Sequence, residues 1–195
     1  MAHPDERRFK MLNIPNLLSL LRVLLIPVLV VLYFVPHTSA TLWATAVFIL
    51  AAVTDWLDGY LARKWQQTSP FGAFIDPVAD KLIVVVALLL ILYKSPTWII
   101  LLPVIVIVFR EITISALREW MAEIGARNVV QVSSMGKWKT TFQMIAIGCL
   151  IFYKPLFGLP IFEIGVVLLY IAAILTLVSM ISYLKAALPV LMDKA

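Results

Sequence analysis

Cysteine and histidine are both scarce in this sequence, which contains one cysteine, Cys149, and two histidines. A single cysteine excludes an intramolecular disulfide, and so few sulfur and imidazole ligands argue against a zinc site. Charged residues are also few, at 14% of 195 residues, and their net charge is +5. Because the basic residues form no dense run interleaved with aromatic side chains, we expect no nucleic-acid partner.

The sequence is unusually rich in hydrophobic residues, which lie in long runs. Hydrophobic residues make up 63% of the chain, and its mean hydropathy is +1.00, whereas an ordinary soluble domain is about 45–50% apolar. Several runs approach the roughly 20 residues that a helix needs to cross a bilayer. The composition predicts an all-α, polytopic integral membrane protein, with a short cytoplasmic arm over residues 1–10 and a single transmembrane domain over 11–195.

Six spans are predicted, over residues 14–35, 41–63, 71–93, 98–117, 137–153 and 162–184. The connections between them alternate between nearly uncharged and basic. By the positive-inside rule the basic set faces the cytoplasm, which places both termini there and agrees with an even number of spans. We therefore expect a multi-pass protein of the inner (cytoplasmic) membrane. The basic set is Arg7, Arg8, Lys10, Arg63, Lys64, Arg118, Arg127, Lys137, Lys139, Lys185 and Lys194.

Four aspartates lie inside the second and third predicted spans. Asp55 and Asp58 are three residues apart, and Asp76 and Asp80 are four apart, so each pair shares one face of its helix. Both pairs lie toward the inner end of their helices, and a short loop joins the two spans. Antiparallel packing is therefore expected to bring the pairs together. Charge inside a membrane span is costly and indicates a functional site.

Four carboxylates at close quarters repel one another and would take up protons unless cations neutralise them. Mg²⁺ and Mn²⁺ are hard ions that prefer oxygen ligands. Two such ions would balance four aspartates, and a pair of ions about 4 Å apart can clamp a phosphoryl group during displacement. The sequence thus predicts a site for two ions of Mg²⁺ or Mn²⁺ that acts on a phosphate compound.

Two glycines accompany the aspartates. Gly59 follows Asp58 inside a helix, where glycine costs about 1 kcal/mol relative to alanine. Close approach of a ligand is one reason for this glycine, and tight helix–helix packing is the other. The same two readings apply to Gly72, near the start of the third span.

These positions together resemble a known family. The pattern Asp55-x-x-Asp58-Gly59-x-x-Ala62-Arg63, followed after eight residues by Gly72-x-x-x-Asp76-x-x-x-Asp80, is similar to the defining motif of the CDP-alcohol phosphotransferases at all eight fixed positions. The resemblance implies a divalent-metal enzyme with six helices, which transfers a substituted phosphoryl group from a CDP-linked donor to an alcohol and releases CMP. It also implies a homodimer.

The resemblance also implies roles for individual residues. Asp55, Asp58 and Asp76 correspond to metal ligands. Asp80 corresponds to the catalytic base that takes the proton of the acceptor hydroxyl, and also to a ligand of the second metal. Gly59, Gly72 and Arg63 lie where the family contacts the cytidine nucleotide. Asn16 is either the N-cap of the first helix or a further nucleotide contact.

Other stretches indicate which alcohol is the acceptor. The segments at residues 13–22, 110–111, 117–120 and 136–141 resemble those of the bacterial phosphatidylglycerophosphate synthases within this family. This likeness implies CDP-diacylglycerol as the donor and sn-glycerol 3-phosphate as the acceptor. Four basic residues are candidates to bind the acceptor phosphate, because Arg and Lys are its usual ligands. They are Arg110, Arg118, Lys137 and Lys139.

Several of these assignments have alternatives. Arg118, Lys137 and Lys139 also lie where the positive-inside rule favours basic residues in any membrane protein. Arg22 and Lys81 are candidate ion-pair partners of the acidic cluster, and Glu111 is expected to pair within the protein. Among functions, a related enzyme that uses another acceptor, such as inositol phosphate, is the first alternative. A cation transporter is a remote one, because the aspartates cluster at one interface and no repeat is visible.

Overall fold

The computed structural model describes residues 14–37, 39–65, 70–126 and 134–194. These parts of the chain are helical, and the one β-like feature among them is an isolated bridge between Leu156 and Leu159. The all-α prediction is confirmed. The helices are α1 (Ile14–Phe34), α2 (Ala40–Trp65), α3 (Pro70–Lys94), α4 (Trp98–Glu123), α5 (Ser134–Phe152) and α6 (Ile161–Lys194).

Each predicted span coincides with one helix, and two of the helices extend well beyond the predicted end of the span. Helix α4 continues six residues past Leu117 to Glu123, and α6 continues ten residues past Leu184 to Lys194. The apolar pattern ends where charged residues begin, at Arg118 and Lys185 respectively. Charge limits the part of a helix that lipid can surround, whereas the backbone hydrogen bonds of the helix continue through charged residues.

Four of the helices, α1, α2, α4 and α6, are long and apolar enough to cross a membrane. In their apolar stretches only 22–33% of the residues are buried, so most of the apolar surface faces outward, as it does in lipid. The chain is therefore a multi-pass membrane protein. Helix α3 carries Asp76, Asp80 and Lys81, and the apolar part of α5 covers only Trp138–Phe152. The count of six spans stays a prediction.

Two tight turns close the helical segments of the second half. Helix α4 ends in a Schellman motif, in which Ala126 N–H donates to the Met121 carbonyl at 2.8 Å and Gly125 N–H to Ala122 at 3.1 Å. Gly125 has φ +75°, the left-handed conformation that this motif requires. Between α5 and α6, Phe157 and Gly158 have φ of 51° and 79°, the pattern of a type I′ turn.

The chain divides into two compact units. The first comprises the chain up to Leu90 together with Ile151–Tyr153. Within it α1 packs along α2, and its buried side chains include Leu29, Phe48 and Leu88. This unit contains all four aspartates of the motif.

The second unit comprises Ile91–Leu150 and Lys154–Ala195. Within it α4 packs against α6, and one core cluster joins residues of these two helices. Its buried members are Ile114, Leu117, Met121, Tyr183 and Ala187. This unit contains the described basic residues predicted to bind the acceptor phosphate.

Candidate functional site

The acidic site of the first unit is built on the C-terminal half of α2 and the N-terminal half of α3. Asp55 and Asp58 lie on one face of α2, as their spacing predicts, but their environments differ. The side chain of Asp58 is 6% exposed, whereas that of Asp55 is 49% exposed. Asp80, on α3, is 44% exposed. Asp58 is therefore buried within the site, whereas Asp55 and Asp80 are accessible at its surface.

Arg22 on α1 pairs with three of these aspartates. The arginine is fully buried, and its Nη1 lies 3.1 Å from Oδ1 of Asp55. The same guanidinium group donates hydrogen bonds to Asp58 and Asp80. Its Nε finds no hydrogen-bond partner among the described residues. The sequence prediction that Arg22 pairs with the acidic cluster is confirmed.

Ser19 links the two acidic pairs. Its hydroxyl lies 3.4 Å from Oδ2 of Asp58 on α2 and also hydrogen-bonds to Asp76 on α3. Ser19 was not among the site residues predicted from the sequence. A signal was present, however, since Asn16, Ser19 and Arg22 recur every three residues in an otherwise apolar helix and all three are buried. Polar side chains on one face of an apolar helix indicate a polar partner on that side.

The donor atoms of this site suit a hard divalent cation. These donor atoms are the carboxylate oxygens of the aspartates and the Ser19 hydroxyl oxygen. Oxygen is the donor atom that Mg²⁺ and Mn²⁺ prefer. Arg22 by itself offsets one of the four negative charges that the aspartates carry when all are ionised. Within the described parts of the chain, no three acidic or imidazole groups already converge as ligands of one ion. The metal-ligand roles of these aspartates stay predictions.

The residues predicted to contact the nucleotide lie on the same three helices. Asn16 is 2% exposed near the start of α1, so it is a buried polar residue one turn before Ser19. Gly59 is half-buried on α2, and Gly72 is buried near the start of α3. The side chain of Arg63 lies outside the described residues. All four assignments stay predictions.

A cluster of basic residues forms the polar interior of the second unit. Arg110 on α4 and Lys139 on α5 are 7% and 3% exposed. Nη1 of Arg110 lies 3.2 Å from Oε1 of Glu111, and Lys139 donates a hydrogen bond to the same oxygen. The prediction that Glu111 pairs within the protein is confirmed. The pairing leaves two buried cations that share one carboxylate.

Helix α6 contributes two residues to this cluster that the sequence analysis did not identify. Ser179 Oγ lies 3.2 Å from Nη2 of Arg110. The hydroxyl of Tyr183 lies 3.2 Å from Nη2 of Arg118, whose side chain is otherwise exposed. The structure thus brings together Arg110, Lys139 and Arg118 through α6 and Glu111. The side chain of Lys137 lies outside the described residues.

Three buried polar atoms in this unit lack a hydrogen-bond partner among the described residues. They are Nε of Arg110, Oε1 of Gln143 and Oγ1 of Thr176. Buried polar groups are nearly always hydrogen-bonded in native proteins. Gln143 lies one turn from Lys139 on α5, and Thr176 lies one turn from Ser179 on α6.

Comparison with protein-family models gives a match over most of the chain. The model described as CDP-alcohol phosphatidyltransferase matches residues 12–178. This range includes both acidic pairs, Arg22, and the basic cluster up to Thr176. The match agrees with the motif identified in the sequence.

Several curated proteins of similar sequence share the same name. The CDP-diacylglycerol–glycerol-3-phosphate 3-phosphatidyltransferase of Haemophilus influenzae is 53% identical over 182 residues, which cover 93% of this chain and 96% of that protein. The proteins of the same name from Salmonella choleraesuis and Shigella flexneri serotype 5b are each 48% identical over 182 residues, with 93% of this chain and 98% of each relative covered. The similarity therefore extends over nearly the full length of this chain and of each relative.

Proposed function

The chain belongs to the CDP-alcohol phosphatidyltransferase family, and from this premise we propose that it transfers the phosphatidyl group of CDP-diacylglycerol to sn-glycerol 3-phosphate. The products are phosphatidylglycerophosphate and CMP, in a step of phospholipid biosynthesis. One observation carries the proposal: Arg22 and Ser19 join the four aspartates of the motif into one polar site. The relatives' names supply the two substrates.

The reaction is a displacement at phosphorus. The primary hydroxyl of glycerol 3-phosphate loses its proton to Asp80, and its oxygen forms a bond to the phosphorus that carries the diacylglycerol. The bond between that phosphorus and the oxygen of the CMP group breaks, and CMP leaves with the electron pair. Because Arg22 contacts Oδ1 of Asp80, we assign the proton to Oδ2, the oxygen on the other side of the carboxylate.

The aspartates would hold two ions of Mg²⁺ or Mn²⁺. Asp55, Asp58 and Asp76 are the proposed ligands, with Asp80 as a further ligand of the second ion. When bound, divalent metal would neutralise the pyrophosphate and the charge that develops in displacement. Arg22 and Ser19 orient the carboxylates, since each contacts more than one of them. Positioning and electrostatic stabilisation supply most of the rate in phosphoryl transfers of this kind.

The acceptor phosphate would bind to the basic cluster of the second unit. Arg110 and Arg118 offer planar guanidinium groups that match phosphate geometry, and Lys139 offers a point charge. Lys137 belongs to the same proposed set. Glu111 pairs with both Arg110 and Lys139 but offsets only one of their two charges, so these three residues keep a net positive charge that favours the incoming phosphate.

The remaining assignments follow from the same premise. Asn16, Gly59, Arg63 and Gly72 would contact the cytidine nucleotide. The acyl chains of CDP-diacylglycerol would stay in lipid against the apolar surface of the helices. We place the protein in the inner (cytoplasmic) membrane as a homodimer, with both termini and the acidic site on the cytoplasmic side.

The deciding experiment measures CMP release by the purified protein in detergent. CDP-diacylglycerol is supplied with Mg²⁺ or Mn²⁺, and glycerol 3-phosphate, inositol phosphate and serine are compared as acceptors. A chelator is added in parallel reactions. We expect CMP release that requires metal and glycerol 3-phosphate together.

Two results would change the proposal in different ways. Release with inositol phosphate alone would keep the mechanism and replace the acceptor. No release with any acceptor, from a sample that is monodisperse and folded by circular dichroism, would remove the transferase proposal itself and leave transport or binding to be tested.

A further inference from the structure

Tyr183 connects the two arginines of the basic cluster. The guanidinium carbons of Arg110 and Arg118 lie 5.8 Å and 5.3 Å from the centroid of the Tyr183 ring. The hydroxyl of the same residue lies 3.2 Å from Nη2 of Arg118. One side chain of α6 therefore contacts two cations of α4.

The two arginines that contact Tyr183 start from well-separated positions on α4. Eight residues separate Arg110 from Arg118, which is a rise of about 12 Å along a helix at 1.5 Å per residue. Two like charges repel each other, and long side chains in solvent would spread apart. The negative face of an aromatic ring attracts a guanidinium group. Tyr183 thus offsets the repulsion and holds the two groups around a single ring.

The ring itself is fixed by the core. Tyr183 is 5% exposed and belongs to the buried cluster with Ile114, Leu117, Met121 and Ala187. A tyrosine has only two rotatable side-chain bonds, and this one is packed along its length. Arg118, in contrast, is an exposed residue whose guanidinium would otherwise sample many conformations. Contact with a rigid ring removes part of that freedom before any ligand binds.

We propose that Tyr183 is a positioning residue for the acceptor phosphate, because it contacts the guanidinium groups of both Arg110 and Arg118, the two arginines proposed to bind that phosphate. This inference rests on the proposed function and adds to it a residue that determines acceptor recognition without touching the reacting atoms. A binding site whose side chains are already ordered binds its ligand more tightly, because the entropy cost of ordering those side chains is met before binding. Tyr183 therefore acts on the affinity for a phosphorylated alcohol and leaves the lipid donor unaffected.

The test compares Tyr183→Leu, Tyr183→Phe and Tyr170→Leu with the parent protein. Leucine removes both the ring and the hydroxyl, phenylalanine keeps the ring face, and Tyr170 is an exposed tyrosine of the same helix that serves as a control. Initial rates of CMP release give KM for glycerol 3-phosphate and for CDP-diacylglycerol separately. Inorganic phosphate is titrated as a competitive inhibitor against glycerol 3-phosphate, and thermal unfolding is recorded for each variant.

We expect Tyr183→Leu to raise KM for glycerol 3-phosphate about tenfold, since two cation–π contacts and one hydrogen bond are lost. The inhibition constant of phosphate should rise in parallel, while KM for the lipid stays unchanged. Tyr183→Phe should show a rise of only about two- to fivefold, and Tyr170→Leu none.

A purely structural role gives a different pattern. If Tyr183→Leu lowers the unfolding temperature and the amount of active enzyme but leaves both the acceptor KM and phosphate inhibition at parental values, the inference is wrong. Equal increases in KM for acceptor and lipid would overturn it as well. A parent protein that releases no CMP with glycerol 3-phosphate would instead refute the proposed function, so the two failures are distinguishable.

Discussion

Nη1 of Arg22 lies 3.1 Å from Oδ1 of Asp55, and the same guanidinium also contacts Asp58 and Asp80. A fully buried arginine therefore acts as the counter-ion of three carboxylates from two other helices. Burying an arginine is costly unless it is paired, so this interaction depends on all of its partners. It ties α1 to both helices that carry the motif.

Arg22→Met should destabilise the protein strongly. Removing the buried cation leaves three carboxylates facing one another, and breaking a buried ion pair costs about 3–5 kcal/mol. Thermal unfolding in detergent with a chelator present should show a large decrease in the unfolding temperature. Lys64→Met, which removes an exposed cation that lies over the Tyr60 ring, is the matched control and should change it little. Equal decreases in both variants would contradict the assigned role of Arg22.

Asp80→Asn should abolish turnover while the site remains assembled. Asparagine keeps an oxygen that can accept the hydrogen bond from Arg22, but it cannot take a proton from the acceptor hydroxyl. Loss of a general base typically lowers kcat by about 10²–10⁴-fold. CMP release measures the loss, and binding of CDP-diacylglycerol by the inactive variant measures what is retained. A variant nearly as active as the parent would show that Asp80 is not the base.

Ser19→Ala should weaken the link between the two acidic pairs. The hydroxyl contacts Asp58 at 3.4 Å and also Asp76, and hydrogen bonds to charged groups contribute about 1.5–3 kcal/mol each. We expect the Mg²⁺ concentration for half-maximal CMP release to rise at least about fivefold. Ser182→Ala removes an exposed hydroxyl that donates to the Val178 carbonyl of its own helix, and it should leave the metal requirement unchanged. If both variants need the same Mg²⁺ concentration for half-maximal CMP release, Ser19 does not contribute to the metal site.

The acidic part of the site could be predicted from sequence because its pattern is local. A spacing of three or four residues places each aspartate pair on one helix face whatever surrounds the helix. The short connection between α2 and α3 then leaves few ways to arrange the two pairs. Arg22 was identified for the same reason, since an isolated arginine in an apolar helix requires a partner of opposite charge.

The remaining residues depend on contacts that no local pattern specifies. Tyr183 lies 65 residues from Arg118 in sequence, and a tyrosine near the end of an apolar helix is equally typical of a membrane interface. The extensions of α4 and α6 were missed because hydropathy measures the lipid-facing length of a helix, whereas capping decides where the helix ends. In α4 that end is set by Gly125 in its left-handed conformation.

Arg118→Ala should raise the requirement for glycerol 3-phosphate more than the requirement for the lipid. The side chain is exposed except for its contacts with Tyr183, so its removal should not unfold the protein. An arginine–phosphate contact is charge-assisted and contributes about 1.5–3 kcal/mol, which corresponds to an increase in the acceptor KM of about 10–100-fold. Lys185→Ala, an exposed cation of α6, is the control. An unchanged acceptor KM in Arg118→Ala would exclude this arginine from the acceptor site.

Two glycines of the second unit should respond in opposite directions to alanine. A Cβ at Gly165 would lie 2.9 Å from Cγ of Leu150 and 3.0 Å from Cβ of Cys149, so α6 and α5 would have to move apart. Such overpacking costs about 1–3 kcal/mol. A Cβ at Gly148, inside α5, meets no atom within 4 Å, and alanine there should stabilise the helix by about 0.5–1 kcal/mol. In detergent, the unfolding temperature of Gly148→Ala should therefore be higher than that of the parent protein, and the unfolding temperature of Gly165→Ala should be lower. The reverse order would mean that close approach of α5 and α6 at Gly165 does not limit the packing of this unit.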